Sequence, residues 1–266
     1  MCNLSNLFSL KHLLQTAGVF IALTLSVAVN SAPLTQQQVD SLIEQADSYR
    51  MDQDSAQIIS IVRLYKDNQL DKTRQYNVYS RPDRESLVVF KSAVEAGQKM
   101  LMLQDNFWLQ MPKSRRPIRI TPMQKLLGDA SVGDISTLTW SQDYQGTWQI
   151  EETISDYADV SYTAQRIELI ATTKGASYQR IVLWLEKDNG FPIQADLYLR
   201  SGKLAKQAQF TRGIRDDKLA VTAMTLLDAI QPNKKTEIEY QSIKPWRLDD
   251  KYYNPSFLAR NNTSEL

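Results

Sequence analysis

The chain has 266 residues, of which 42% are hydrophobic, 9% aromatic and 23% charged. This is the composition of a globular protein with a sizeable core, and it excludes wholesale disorder and collagen-like repeats. Lys and Arg number 31 against 30 Asp and Glu, so no strong overall field indicates nucleic acid or an acidic polymer as a partner.

The first 32 residues predict a secretory signal peptide. This stretch contains no acid and has Lys11 ahead of an apolar run of 13 residues, Ala17 to Val29, which small residues follow. The run is shorter than the roughly 20 residues that span a bilayer. An uncleaved anchor or a core helix is the alternative interpretation. We expect residues 1–32 to be removed and residues 33–266 to form one domain in the periplasm.

Removal of this segment would leave the chain without a thiol or an imidazole, because Cys2 and His12 are its only Cys and His. Ser-His-Asp and Cys-His catalysis, His-ligated zinc and an intrachain disulfide are then excluded. The sequence also lacks dinucleotide-binding, P-loop and nucleophile-elbow motifs. We therefore expect no enzyme activity, no cofactor and no metal. Two distant carboxylates that meet in a hydrolase site are the remaining enzymatic alternative.

Residues 35–49 predict an amphipathic helix. Thr35 can cap its amino end, and Gln38 three residues later completes a capping box. We expect the apolar face of this helix to cover part of a sheet. The residues that recur at helical spacing on that face are Val39, Leu42, Ile43 and Ala46.

Beyond the helix the apolar pattern changes toward a period of two, which predicts strands. Turn residues such as Asp67-Asn68 and Ser201-Gly202 separate several of them, and such short connections imply antiparallel hairpins. Both faces of the amino-terminal strands are apolar, which predicts that both faces are covered, whereas one face is polar from about residue 190 onward. The predicted strands are 57–66, 70–80, 86–92, 98–104, 106–111, 147–155, 160–173, 177–187, 192–200, 203–211, 216–227 and 235–243.

A sheet of about a dozen strands must curl, split or close, and only the helix and a short segment at 123–138 are available to cover it. One solution is a closed or sandwiched sheet that side chains fill. The other is a curled sheet whose inner face is lidded by helices and keeps an apolar pocket. Each candidate lining residue has ordinary core packing as its alternative role. The candidate ligand-binding residues are Phe90, Met100, Met102, Trp108, Met111, Leu126, Leu127, Trp184 and Leu199.

The one sizeable interruption of the strand pattern, residues 112–146, holds three prolines and a basic cluster. Arginine suits the geometry of phosphate and carboxylate groups, so the cluster is a candidate site for an anionic headgroup or a partner protein. A solvated turn is the alternative interpretation. The basic residues are Lys113, Arg115, Arg116 and Arg119.

Short motifs scattered over residues 57–258 carry a family resemblance. The main ones are Asp105–Pro112, Arg115–Ile120, Leu127–Ser131, Trp184–Lys187 and Phe191–Ile193. Together they resemble the outer-membrane lipoprotein-sorting proteins, a family of LolA-like periplasmic carriers. The resemblance implies a mainly β (α+β) fold, an unclosed antiparallel β-barrel or half-barrel with a helical lid. It also implies an apolar cavity that takes acyl chains, and it brings no catalytic residue.

Two functions follow from these observations. The first is a monomeric periplasmic carrier that binds lipid or lipoprotein acyl chains and transfers them toward the outer membrane. An inner-membrane exporter or an outer-membrane acceptor would be its partner, and nucleic acid would not. The alternative is a sensor or regulatory module that uses the same half-barrel, with its lid and the Lys113–Arg119 turn, to contact a membrane protein.

Overall fold

The computed structural model describes residues 32–124, 132–136, 139–260 and 266. The first helix, α1 (Gln36–Arg50), begins at the expected capping box. The Gln38 backbone N–H donates to Thr35 Oγ1, and the Thr35 N–H donates to Gln38 Oε1 at 2.9 Å. These bonds satisfy two backbone donors that a helix start leaves open.

The rest of the described chain is dominated by antiparallel strands, with few helices. Two further short helices are α2 (Val132–Ser136) and α3 (Pro255–Leu258), and single 3₁₀ turns lie at Ala93–Glu95 and Asp250–Tyr253. The strands are β1 (Ala56–Lys66), β2 (Gln69–Arg81), β3 (Glu85–Phe90), β4 (Lys99–Leu103), β5 (Asn106–Gln110), β6 (Ile118–Ile120), β7 (Tyr144–Ser155), β8 (Ser161–Ala171), β9 (Arg180–Glu186), β10 (Pro192–Tyr198), β11 (Leu204–Arg215), β12 (Lys218–Asp228) and β13 (Lys234–Pro245).

All 13 strands belong to one sheet in the order β6-β5-β4-β3-β2-β1-β13-β12-β11-β10-β9-β8-β7. The first and last strands of the chain therefore pair at its centre, from Ala56 opposite Pro245 to Lys66 opposite Lys234. We call β1–β6 the amino wing and β7–β13 the carboxyl wing. Because β6 and β7 are the two edges and do not pair, the sheet is not closed, which confirms the predicted fold class.

The sequence predicted twelve strands, and the thirteenth is β6. This strand has only three residues and lies within the proline-rich interruption. A period of two cannot be recognised over three residues, and prolines on either side argue against a strand. The strand forms because it pairs with β5, although its own sequence carries no strand signal.

The main core lies on the inner face of the sheet, where α1 packs against it. Val39, Ile43 and Ala46 of α1 join one cluster with Ile135 of α2 and with inward-facing residues of both wings. The predicted apolar face of α1 thus covers the sheet as expected. Leu42, the fourth residue predicted there, is partly buried against the same cluster.

A second cluster lies on the outer face of the amino wing and explains why both faces of those strands are apolar. Tyr79, Leu87 and Leu101 pack there against residues of the chain's carboxyl end, including Tyr253 and Leu258. The outer face of the amino wing is therefore covered by the 3₁₀ turn at Asp250–Tyr253 and by α3. The sequence predicted that these strands are covered on both faces but did not predict what covers the outer one.

The described residues from 33 onward form one compact unit. The predicted signal peptide concerns residues that, up to residue 31, lie outside the described part of the chain, and it stays a prediction. Within the described ranges, no helix has both the length and the apolar character that a membrane crossing requires.

Candidate functional site

An open cleft of about 620 Å³ lies on the inner face where β1, β12 and β13 meet the β10–β11 turn. Its volume falls within the roughly 300–1,000 Å³ of small-molecule sites. Apolar side chains form its wall and charged side chains form its rim. The wall residues are Leu64, Met123, Tyr178, Leu199, Ala205, Leu226 and Ile230.

The wall of the cleft is continuous with the main core. Leu64, Ala205 and Leu226 are buried members of the inner-face cluster, and Leu199 packs against it. An apolar group that enters the cleft would therefore contact residues of the core itself. This continuity makes the cleft the candidate functional site.

The floor of the cleft contains a buried polar group. The Tyr178 hydroxyl donates to Asp134 Oδ1 at 2.7 Å, and Lys206 Nζ forms an ion pair with Asp134 Oδ2. Burial, followed by the charge of Asp134, raises the pKa of Tyr178 well above its usual value, so the phenol stays protonated. Since Asp134 belongs to α2 and Lys206 to β11, these contacts fix α2 to the carboxyl wing.

A different arrangement holds α1 in place. The Asp47 carboxylate accepts hydrogen bonds from the backbone N–H groups of Trp140 at 2.6 Å and Ser141 at 2.8 Å. Burial raises the pKa of Asp47, an effect that these hydrogen bonds partly offset. The Arg50 guanidinium lies 4.2 Å from the Trp140 ring centroid and 5.6 Å from that of Phe210. The space beneath the end of α1 is consequently filled, and a cavity of only about 40 Å³ remains there.

The two wings are joined by a polar cluster that we call the wing latch. It consists of the charged side chains of Arg84, Asp105 and Asp143 and the backbone N–H of Gly175. Arg84 lies in the β2–β3 turn with φ 60°, and its guanidinium is 2.6 Å from Asp105 Oδ1 and 2.7 Å from Asp143 Oδ1. The Gly175 N–H also donates to Asp105 at 2.8 Å. A Cβ on Gly175 would lie 2.8 Å from both Arg84 Nη2 and Asp105 Oδ1, so a side chain there would displace the latch.

The wing latch also perturbs one of its own carboxyl groups. The hydrogen bond from Arg84 holds the pKa of Asp105 below its usual value. The latch therefore connects turns of the amino wing, which carry Arg84 and Asp105, with Asp143 before β7 and Gly175 after β8. The sheet is unclosed in its backbone pairing, but its wings are held together by side chains.

The structure separates the residues that the sequence suggested as ligand-binding. Phe90, Met100 and Met102 are buried in the inner-face cluster on β3 and β4. Leu199 lines the cleft itself. Met111 is partly buried after β5.

Both of the suggested tryptophans lie on the outer face of the sheet. Trp108 packs against the outer cluster, and Trp184 alternates with the buried residues of β9 and donates from Nε1 to Glu152 at 2.8 Å. Leu126 and Leu127 lie outside the described residues. Binding by any of the nine suggested residues stays a prediction.

The suggested basic residues lie on the edge of the amino wing, away from the cleft. Lys113, Arg115 and Arg116 are exposed in the β5–β6 connection. Arg119 lies on β6, bonded to Asn106 and 5.8 Å from the ring centroid of Trp108. Their role in partner or headgroup binding also stays a prediction.

Sequence reasoning missed the lysines at the rim of the cleft. Lys66 ends β1, Lys72 lies near the start of β2, and Lys234 begins β13. The sequence offered one signal, because Lys66 and Lys72 flank the Asp67-Asn68 turn. Nothing in it indicated that Lys234 lies opposite Lys66, since 168 positions separate them along the chain.

A protein family described as "Uncharacterized protein" has a model that matches residues 82–260. No curated protein is significantly similar to the chain in sequence. The family match covers the strands from β3 onward and includes the carboxyl-terminal cover of the outer face.

Solved structures share the fold over most of the chain. A LolA superfamily protein from Nitrosomonas europaea is 28% identical with a TM-score of 0.72, covering 83% of this chain and 98% of that one. A DUF1329 family protein from Desulfovibrio piger is 22% identical with a TM-score of 0.66, covering 84% and 98%. A domain named as an outer membrane lipoprotein-sorting protein, from Vibrio parahaemolyticus, is 20% identical with a TM-score of 0.64, covering 85% and 100%. The expected LolA-like resemblance is confirmed.

Proposed function

This chain belongs to the family whose model matches residues 82–260, and from its LolA-like fold we propose that it carries acyl chains of lipids or lipoproteins. The observation that supports this most directly is the cleft of about 620 Å³, whose apolar wall is continuous with the core. The name of the similar Vibrio domain, an outer membrane lipoprotein-sorting protein, fits the same class of cargo.

The binding energy in this proposal comes from removal of the acyl chain from water. Each methylene buried is worth about 0.8 kcal/mol. Leu64, Leu199 and Leu226 offer an apolar surface that needs no hydrogen bond from the chain. Such contacts are non-directional, so they suit cargo whose tails vary in length.

Release requires that the cargo be able to leave for a better site. The wing latch joins the two wings, and the Asp47 contacts join α1 to residue Trp140. None of the latch residues lines the cleft, and neither does Asp47. The cleft itself is open to solvent, so a tail can enter and leave there while the wings stay joined. The protein then acts by binding and exchange, with no chemical step.

More specifically, we propose that the protein is a periplasmic carrier that delivers its cargo toward the outer membrane. An inner-membrane exporter would load it, an outer-membrane acceptor would unload it, and the carrier would work as a monomer. The predicted signal peptide supports the compartment. The LolA-like fold supports the direction of transfer.

Native mass spectrometry of protein purified from the periplasm tests the function. We expect bound species with the masses of lipids or acylated peptides, and uptake of a fluorescent fatty acid by the stripped protein. Leu199→Gln should weaken that uptake about five- to tenfold, since it replaces an apolar contact with a polar one. Leu70→Gln is the matched control, because Leu70 is an exposed leucine outside the cleft. Protein that is free of ligand and takes up no probe would reject the carrier.

The second candidate is the sensor or regulatory module. The exposed cations Lys113, Arg115 and Arg116 on the edge of the amino wing favour it, because they are available to an acidic partner. A pull-down from membranes should then recover a stable protein partner. Loss of that partner in Arg115→Ala/Arg116→Ala, with probe uptake unchanged, would favour sensing over carriage.

A further inference from the structure

We propose that the cleft selects amphiphiles with an anionic headgroup, a carboxylate or a phosphate, which Lys66 and Lys234 bind above the apolar wall. The inference rests on the proposed function, because it assigns the head of a molecule whose tail the cleft holds. It adds a chemical class of cargo to that function. The site is distinct from the basic cluster at 113–119.

The geometry at the rim brings two like charges together. Lys66 and Lys234 are direct partners across the antiparallel pairing of β1 and β13. The Cβ atoms of such partners lie roughly 4.5–5.5 Å apart, and like charges so placed destabilise a sheet. Among the described residues, neither side chain has a carboxylate in ion-pair contact. An anion bound between them would remove this repulsion.

Both lysines face the cleft. Along β1 the buried residues alternate with partly exposed ones, and Lys66, itself exposed, lies two positions after buried Leu64 and so on the same face of the strand. Two positions of a strand span about 6.6 Å. On β13, Thr236, which also lines the cleft, lies two positions after Lys234 and opposite Leu64. The ammonium groups therefore stand at the outer end of the apolar wall, where the head of a bound amphiphile would lie.

The other lysines that line the cleft each have a carboxylate partner. Lys206 pairs with Asp134, Lys235 Nζ is 2.8 Å from Glu237, and Lys72 Nζ is 3.7 Å from Asp71. Asp228, the remaining acid, accepts from the backbone N–H groups of residues 230 and 231, both at 2.8 Å. Among the lysines that line the cleft, Lys66 and Lys234 are thus the two for which the described residues provide no ion pair.

The test compares two amphiphiles that share one tail, oleate and the uncharged monoolein. Each displaces a fluorescent fatty acid from the stripped protein at low salt. We expect oleate to bind about tenfold more tightly than monoolein, and Lys66→Gln/Lys234→Gln to abolish most of that difference. The preference should also shrink as salt rises. Lys203→Gln/Lys244→Gln is the matched control, because it removes two exposed lysines outside the cleft.

The outcomes separate this inference from the proposed function. Equal affinities for the two amphiphiles, or a preference that survives in Lys66→Gln/Lys234→Gln, would overturn the headgroup site and leave the carrier intact. Failure of both amphiphiles to bind would overturn the carrier as well. Inorganic phosphate distinguishes a headgroup from a free anion: we expect only millimolar competition. Tight binding of phosphate without any preference for oleate would mean that the lysines serve a free anion, against the inference.

Discussion

The wing latch and the lysine pair at the cleft rim are both groups of charges at places where distant parts of the sheet meet. In the latch, one guanidinium lies between two carboxylates at 2.6 Å and 2.7 Å. At the rim, Lys66 and Lys234 are partners across β1 and β13, and among the described residues neither has a carboxylate in ion-pair contact. Matched, partly buried charges stabilise a fold, whereas unmatched charges at an open cleft cost stability and attract a ligand. The same residue types thus hold the wings together at one place and leave a binding position at the other.

The largest expected effect comes from breaking the latch with Arg84→Ala. This leaves the largely buried Asp143 and its neighbour Asp105 without their cation, which should cost about 2–3 kcal/mol in the free energy of unfolding measured with urea. Arg63→Ala is the control. Its pair with Glu239, at 2.7 Å, is 36% and 43% exposed and should contribute less than about 1 kcal/mol. Equal losses in the two variants would contradict the role of the latch.

Gly175→Ala tests the same latch from the carboxyl wing. The new methyl group would lie 2.8 Å from Arg84 Nη2 and Asp105 Oδ1 and 3.0 Å from the carbonyl oxygen of Gln104. We expect a loss of about 1–2 kcal/mol, because the turn must move away from its partners. Gly202→Ala does not crowd any neighbour, although its φ of 80° adds backbone strain of its own. Combining Gly175→Ala with Arg84→Ala should add little, since both disrupt one contact; additive losses would count against this explanation.

The pH dependence of stability offers a third test. The pKa of Asp105 is lower in the folded protein than in the unfolded chain, chiefly because Arg84 donates to it. Its stabilising effect is therefore fully present above the unfolded pKa, about 3.9, and is lost as the pH falls through the folded value. Wild-type protein should lose more stability than Asp105→Asn between pH 5 and the acid limit. Parallel profiles in urea titrations would show that Asp105 is not stabilised by the latch.

The smallest expected effect concerns the cleft rim, where we expect a gain in stability instead of the losses predicted for the latch variants. Lys66→Gln should raise the free energy of unfolding by a few tenths of a kcal/mol at low salt, because it removes a like-charge pair across β1 and β13. The gain should disappear at high salt. A thermal melt with and without salt measures it. Destabilisation at low salt would indicate that an acid in the folded protein already matches Lys66.

The sequence predicted much of the fold because its local signals are strong. The capping residues at Thr35 and Gln38 and the apolar spacing of α1 identified the helix within a residue of its ends. Twelve of the strands followed from alternation and turn residues. The unclosed arrangement was favoured by the family resemblance, since the residues alone left two architectures open.

The candidate site was less accessible to sequence reasoning. A period of two identifies two faces of a strand but does not say which one is inward. Trp108 and Trp184 were suggested as lining because they are large and apolar, but both lie on the outer face. There Trp108 packs against the outer cluster, and Trp184 donates a hydrogen bond to Glu152. Leu199, in contrast, lines the cleft and packs against the inner-face cluster.

The sequence by itself determined α1, twelve of the strands, their antiparallel hairpins and the need to cover a large sheet with few helices. Only the tertiary structure decided that β1 pairs with β13, that the wings are joined by Arg84, and that Lys66 lies opposite Lys234. The reason is physical. Local patterns depend on neighbours within a few residues, whereas charge pairing between strands far apart in sequence depends on which strands pair and in which register.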